Sequence, residues 1–513
     1  METNNKLLKE ILRSVPYIII FAGIFIFFTQ AHPLLVFDTD DWWYIYRHRH
    51  GIPLVGDWNP TKVLPETLMP IAAEIGIRII MPFNGDYISS LSIIFALTLS
   101  LFIVVYFMSF GWFCKKKLTM NSAPLSLVLI LFALYHFWPF TNGTGDSRYY
   151  SFWAHNVTCI FNYTIPVLLN SALTMYLMTE KEAVLNASYI KKGLILLAIY
   201  LCMNSNIFAS IILSVWAGTE LLESIYKNAG NLRKNKIQEK DSIQSCMIKI
   251  ATTKENLFCA AIVVLWLAEI LMEYKGGRAA AVGSGISMSL ILDSAGTFFH
   301  SVMTIRKLFL LSIGLFLLTG VMVSIWGGKY YNITFEPDYT YISSLVKSVI
   351  CMLLTAIYLI LLSAVAGTRY ISRPDVLFTW LFWLMFIGFL SFGQICVCIP
   401  RSMMALPLMI YIIAFETIIS AKTYSEMNTL GYAPATVKLI DDFIINQVKE
   451  ADKAALNNMI IYVPEYETTD NWPIAIYGAD RITSALYQHG IVSRFIHATI
   501  VPDKAVNSEL KIP

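Results

Sequence analysis

Charge is what this sequence has least of. Only 14% of its 513 residues are Asp, Glu, Lys or Arg, against 56% hydrophobic, and the mean hydropathy is +0.59. A soluble domain carries nearly twice that charge, so the three aqueous domains that the length alone would suggest give way to one membrane-embedded body. The net charge of +3 is too small to argue for nucleic acid as a partner. Cysteine is also sparse. The eight present sit mostly in apolar runs, as at Cys202, Cys259 and Cys351, without the paired spacing of a disulfide or zinc framework. Cys396 and Cys398 are separated by a single residue, which fits apolar packing better than a metal. There is no Gly-rich phosphate loop, internal repeat or low-complexity tract. No small-residue cleavage site follows the first apolar run, Val15 to Thr29, so that run is expected to stay as a span.

What is abundant is apolar sequence in lengths that suit a bilayer. A spanning helix needs about 20 apolar residues, and Lys and Arg in short loops stay in the cytoplasm. The basic clusters are Lys6 to Arg13, Lys115 to Lys117, Lys181 with Lys191 and Lys192, Lys227 to Lys254, Arg306 with Lys307, and Arg369 with Arg373. Placing each of them in the cytoplasm predicts spans near 15–31, 88–112, 122–140, 157–179, 257–273, 307–327, 345–365, 375–395 and 404–421. The segment Gly193 to Glu223 is interrupted by Asn204, Ser205 and Asn206 and reads as two short half-spans turning at a polar tip. The run Ile286 to Val302 holds Asp293 and His300, yet it must cross if Arg306 and Lys307 are inside.

The expected fold is therefore an all-α polytopic membrane protein of about 11–13 transmembrane helices, twelve by this count, with a cytoplasmic N-terminus. It covers residues 1–421, and residues 422–513 change to a small soluble α/β appendage. Twelve crossings put that appendage in the cytoplasm; one crossing fewer puts it outside.

The same topology exposes one large outer loop, residues 31–87. It opens with Asp38, Asp40 and Asp41, continues through Trp42, Trp43, Tyr44 and Tyr46 into Arg47-His48-Arg49-His50, and later holds Asp57 and Trp58. Its stretch Leu68 to Phe83, broken by Glu74 and Arg78, reads as a helix lying along the interface. Carboxylates as close as Asp38, Asp40 and Asp41 repel one another, so one should hold a proton unusually well or share a cation. A general base acting on a sugar hydroxyl needs that tuning. Trp42, Trp43 and Tyr44 suit the apolar face of a sugar, although taken alone they are better explained by the Trp and Tyr belts of any membrane interface. Arg148, Arg278 and Arg401 fall in outer loops, where positive charge is normally depleted, and together could clamp a lipid phosphate; singly each is better explained as a headgroup contact or a snorkelling side chain. Asn162, Asn170, Asn204, Asn206, Glu269 and Glu273 lie in or beside apolar helices, where they face a cavity or a partner, and carry no assigned chemistry.

One span, a large outer loop opening on an Asp-rich motif, and then many spans resembles the GT-C integral-membrane glycosyltransferases, and within them the bacterial enzymes that modify O-antigen during serotype conversion. The residues that carry the likeness are Asp38-Thr39-Asp40-Asp41, the segment Trp153 to Tyr163, and Ile399-Pro400-Arg401-Ser402. The resemblance implies a sugar, such as glucose, carried on polyprenyl phosphate, an acceptor surface glycan such as O-antigen, and an inverting displacement at the outer face of the bacterial inner membrane. Asp40 or Asp41 would be the base and fixed positive charge would bind the departing phosphate. A carboxylate cluster could also hold a divalent cation, whose oxygen ligands cannot be counted in sequence. An O-antigen polymerase or ligase, or a transporter of lipid-linked glycans, are the alternatives; the first would place its long loops later in the chain and the second would show two related halves.

Overall fold

A computed structural model describes residues 2–138, 140–141, 148–235, 252–277, 285–330, 339–398, 405–421, 424–466 and 478–512. The chain is mostly helical, and eight helices among the described residues are long and apolar enough to cross a membrane. In chain order the helices that matter are α1 (Glu2–Ile26), α2 (Thr39–Tyr44), α3 (Val63–Ile75), α4 (Tyr87–Lys117), α5 (Ser122–Phe137) and α6 (Ile165–Leu185). There follow α7 (Tyr189–Met203), α8 (Ile207–Asn235), α9 (Lys254–Lys275), α10 (Met288–Met303) and α11 (Lys307–Tyr330). The membrane body closes with α12 (Tyr339–Ala366), α13 (Pro374–Cys398) and α14 (Ala405–Ala421).

Local chemistry starts and stops these helices where expected. Asp86 caps α4 by accepting the Ser89 N–H at 2.6 Å, and Lys115, Lys116 and Lys117 end it, where a helix C-terminus favours positive charge. Thr253 and Ser287 cap α9 and α10 in the same way. At the end of α4 opposite the first loop, Trp112 donates to Glu180, Lys181 pairs with Glu220 at 2.6 Å, and Lys347 pairs with Glu220 at 2.6 Å, so α4, α6, α8 and α12 bring their basic ends together.

Two expectations are corrected here. The segment after Gly193 is not two short half-spans, since α8 runs for 29 residues behind the 15-residue α7. Their polar turn does lie under cover of protein: Asn206 donates to the Asn162 carbonyl at 2.6 Å, and Leu64 donates to the Asn204 carbonyl at 3.2 Å. The second correction concerns α10, which does not traverse the bundle. The chain before it touches the first loop, with the Gly277 N–H on the Asp57 carbonyl, and after it Phe309 packs on Tyr135 and Trp138 near the same end. Arg306 and Lys307 therefore lie on the first-loop side, as do Arg369 and Arg373 on the turn between α12 and α13. The physical reason is pairing: Arg306 bonds Glu416 at 2.7 Å and Arg373 bonds Asp375 at 2.5 Å, and a neutralised arginine loses the topological force of a free charge.

The stretch expected along the interface folds as α3 and a π-helical turn, Gly76–Ile80, with Ile71, Ile75, Ile79 and Phe83 exposed on one side and Met69, Ala72 and Ala73 buried on the other. The C-terminal residues form α15 (Pro434–Lys453), strand β1 (Asn458–Pro464), α16 (Ala479–Gln488), strand β2 (His497–Asp503) and α17 (Lys504–Leu510). The two strands are parallel, registered from Asn458 opposite His497 to Pro464 opposite Asp503, a β-α-β arrangement. This unit sits on the first-loop side. Lys438 bridges to Asp86 at 2.6 Å, Tyr87 shares a 2.7 Å hydrogen bond with His489, and Thr429 donates to Asp38 at 2.8 Å.

Candidate functional site

The acidic motif folds as a short helix whose carboxylates go different ways. Asp38 is the N-cap of α2 and forms a reciprocal capping box with Asp41. Asp41 is fully buried and accepts from the Thr158 N–H at 2.7 Å, the Thr158 hydroxyl at 2.6 Å, and the N–H groups of Phe37 and Asp38 at 3.2 Å. Asp38 is almost as buried and accepts from Asn156 and Thr429, each at 2.8 Å. Burial pushes both carboxyls up from their ordinary value, Asp38 raises Asp41 further and Asp40 raises Asp38, while these hydrogen bonds act in the opposite sense. Asp40 alone points away from the packing: its side chain is 65% exposed and faces a cavity. Successive helix residues are turned by about 100°, so the same separation divides the aromatics. Trp42 is buried and stacks on Tyr87, whereas Trp43 and Tyr44 line the cavity.

The cavity, of about 810 Å³, collects cations from three distant segments: Arg47, Arg49 and Lys62 from the first loop, Arg373 from the start of α13, and Arg481 from α16. Three of them are rigidly held. Arg373 forms a fork on Asp375 and its guanidinium lies 4.5 Å from the Tyr163 ring centroid and 5.5 Å from that of Tyr370. Arg49 bonds Glu66 at 2.6 Å and approaches Asp57 at 3.6 Å, leaving its buried Nε without a hydrogen-bond partner among the described residues. Lys62 is buried beside the Tyr163 ring. Tyr163 and Asn162 enter the cavity from a π-helical turn, Ile160–Thr164, that leads into α6; such turns widen the backbone locally and recur at functional sites. Across the opening stand Trp58, more than half exposed, and Asp40, which Arg481 meets at 3.3 Å.

The sequence-level site is thus assembled in part. Asp40, Trp43 and Tyr44 meet at the cavity; Asp38, Asp41 and Trp42 are packed behind it because their partners lie in the protein interior. Arg148 does not line the cavity, its carbonyl being tied to the Ser425 N–H at 2.9 Å. Arg278, Arg401 and the rest of the motif Ile399 to Ser402 lie outside the described residues. The cations that do converge were visible only as Arg47 and Arg49; Lys62 carried no signal, and Arg373 was placed on the wrong side. Among the described residues no group of three or more His, Cys, Asp or Glu side chains is arranged to hold a metal ion.

Fold and site together define a multi-pass membrane protein with a cation-rich, aromatic-lined cavity at the first-loop end of its helices. Compared with known proteins, the chain matches no family model, no curated protein and no solved structure.

Proposed function

We propose that the chain is a glycosyltransferase that moves a sugar from a polyprenyl-phosphate donor onto a surface glycan such as O-antigen, at the outer face of the bacterial inner membrane. The observation that carries this reading is the placement of one exposed carboxylate, Asp40, in the same cavity as the fixed cations Arg49, Lys62 and Arg373. In the reaction Asp40 takes the proton of the acceptor hydroxyl as that oxygen attacks the anomeric carbon and the lipid phosphate departs with the bonding pair. Rigid guanidinium groups stabilise the phosphate charge because their geometry needs no rearrangement as that charge develops. Arg373, preset by Asp375 and two aromatic rings, suits this role, and the guanidinium of Arg49, held by Glu66, adds a second fixed charge to the same cavity. Counting the eight long helices with α5, α7 and α14 makes eleven crossings and leaves α10 on the first-loop side, which agrees with a GT-C-like arrangement and with the basic ends of α4, α6 and α8 facing the cytoplasm.

The test is surface-glycan composition and linkage in cells expressing the wild-type chain, Asp40→Asn or Arg373→Lys at matched protein levels. A sugar branch made by the wild type and lost in Asp40→Asn supports the reading; identical glycans in all three end it.

A further inference from the structure

The cations of the cavity outnumber their carboxylates. Its lining holds five cationic side chains and three carboxylates, and Asp375 behind Arg373 supplies a fourth, a surplus of one. The cations also divide by depth. Arg49, Lys62 and Arg373 are largely buried, whereas Arg47 is exposed at the rim beside the exposed His48 and His50. Arg47 has no carboxylate within ion-pair distance among the described residues, and its guanidinium rests 4.5 Å from the Trp43 ring centroid. Arg481, from α16, rests on the same ring at 4.8 Å. Both guanidinium groups therefore lie against one indole, and the complement of such a pair is an anion seated at the edge of that ring. The contact between Arg481 and Asp40 does not fill that need. At 3.3 Å, with Asp40 mostly in water, it is a screened pair worth little and easily exchanged.

Resting on the transferase reading, we infer that the Arg47–Trp43–Arg481 cradle binds an acidic residue of the acceptor glycan, a sugar carrying a carboxylate. Trp58 stands exposed beside it as an apolar platform for a neighbouring sugar. When the acidic sugar binds, Arg481 transfers its contact from Asp40 to the ligand carboxylate, which frees Asp40 to face the attacking hydroxyl. The C-terminal β-α-β unit thereby contributes directly to acceptor recognition through Arg481.

The experiment titrates the purified full-length protein in lipid nanodiscs with trigalacturonate and with its carboxyl-reduced counterpart. Trigalacturonate is expected to bind at least about tenfold more tightly, a difference that one charge-assisted contact supplies. Arg47→Gln and Arg481→Gln should each lose most of that preference, Arg481→Lys should keep part of it, and Asp40→Asn should bind trigalacturonate more tightly because Arg481 is released. Equal binding of the two saccharides, no binding of either, or a preference that survives in both glutamine variants would overturn the inference. So would displacement of trigalacturonate by farnesyl phosphate, which would put the donor phosphate in the cradle. The transferase reading fails separately, by unchanged glycans in cells carrying Asp40→Asn, whatever the saccharide titrations give.

Discussion

Thr158 donates both its N–H and its hydroxyl to one oxygen of Asp41, at 2.7 and 2.6 Å, and so ties the first loop to the head of a membrane helix 117 residues further along the chain. This bond separates the roles within the acidic motif. Asp41 holds α2 in place, and Asp40, one residue earlier on the same helix, is presented to the cavity.

Asp41→Ala is therefore expected to reduce stability by about 2–3 kcal/mol, because buried donors lose their acceptor. Asp40→Asn, at a mostly exposed position, should leave stability within about 0.5 kcal/mol of the wild type while abolishing transfer. Thermal unfolding of both variants in detergent, beside the glycan assay, checks the contrast; equal destabilisation by the two would refute it.

Arg373 sits between Tyr163 and Tyr370 with its fork on Asp375, which is fully buried. Arg373→Lys keeps the charge and loses the fork, so kcat/KM for the lipid donor should fall about 10–100-fold. Arg373→Gln also strands a buried carboxylate and should cost about 3–5 kcal/mol of stability. The double variant Arg373→Gln with Asp375→Asn should recover stability without recovering transfer, which thermal unfolding and donor kinetics measured together would reveal.

Helix order makes a labelling prediction. In a chain cleared of native cysteines, Asp40→Cys, Lys307→Cys and Arg369→Cys should react with a membrane-impermeant maleimide from the same side, and Lys116→Cys and Lys181→Cys from the other. Lys307→Cys reacting with the second group would mean that α10 crosses after all.

Asp441 of α15 is fully buried and neither of its oxygens has a hydrogen-bond partner among the described residues. Burial pushes its carboxyl well above the ordinary range, aided by Asp442, Asp41 and Asp38 and opposed by Lys438. A group raised in the folded state stabilises fully below its unfolded value and loses that contribution as pH rises through the folded one. The wild type should thus unfold at a lower temperature at about pH 8 than at about pH 5, and Asp441→Asn should flatten the difference by raising the value at the higher pH. A wild-type profile already flat across that window would refute the assignment.

Much of the membrane body was legible because burial of a helix in lipid demands a long apolar run, and such runs are visible residue by residue. The first loop was legible for the same reason, as the large polar interval after the first run. The sidedness of Arg306 and Arg373 was not, because the topological effect of an arginine depends on whether a carboxylate cancels it, and Glu416 lies 110 residues from Arg306. The aromatic motif was half legible: composition marked Trp42 and Trp43 alike, and only the turn of α2 and the packing of Tyr87 sent one inward and the other to the cavity.

The sequence by itself determined that this protein lives in a membrane, where its loops begin, and that an acidic motif stands at the edge of the first span, since each of these follows from local hydropathy and charge. Tertiary structure decided which carboxylate faces the cavity, which arginines converge, and that the C-terminal unit joins them. Those outcomes depend on hydrogen bonds and ion pairs between segments such as Asp40 and Arg481, 441 residues apart. Such pairs form only when the helices between them have packed, so no local pattern encodes them.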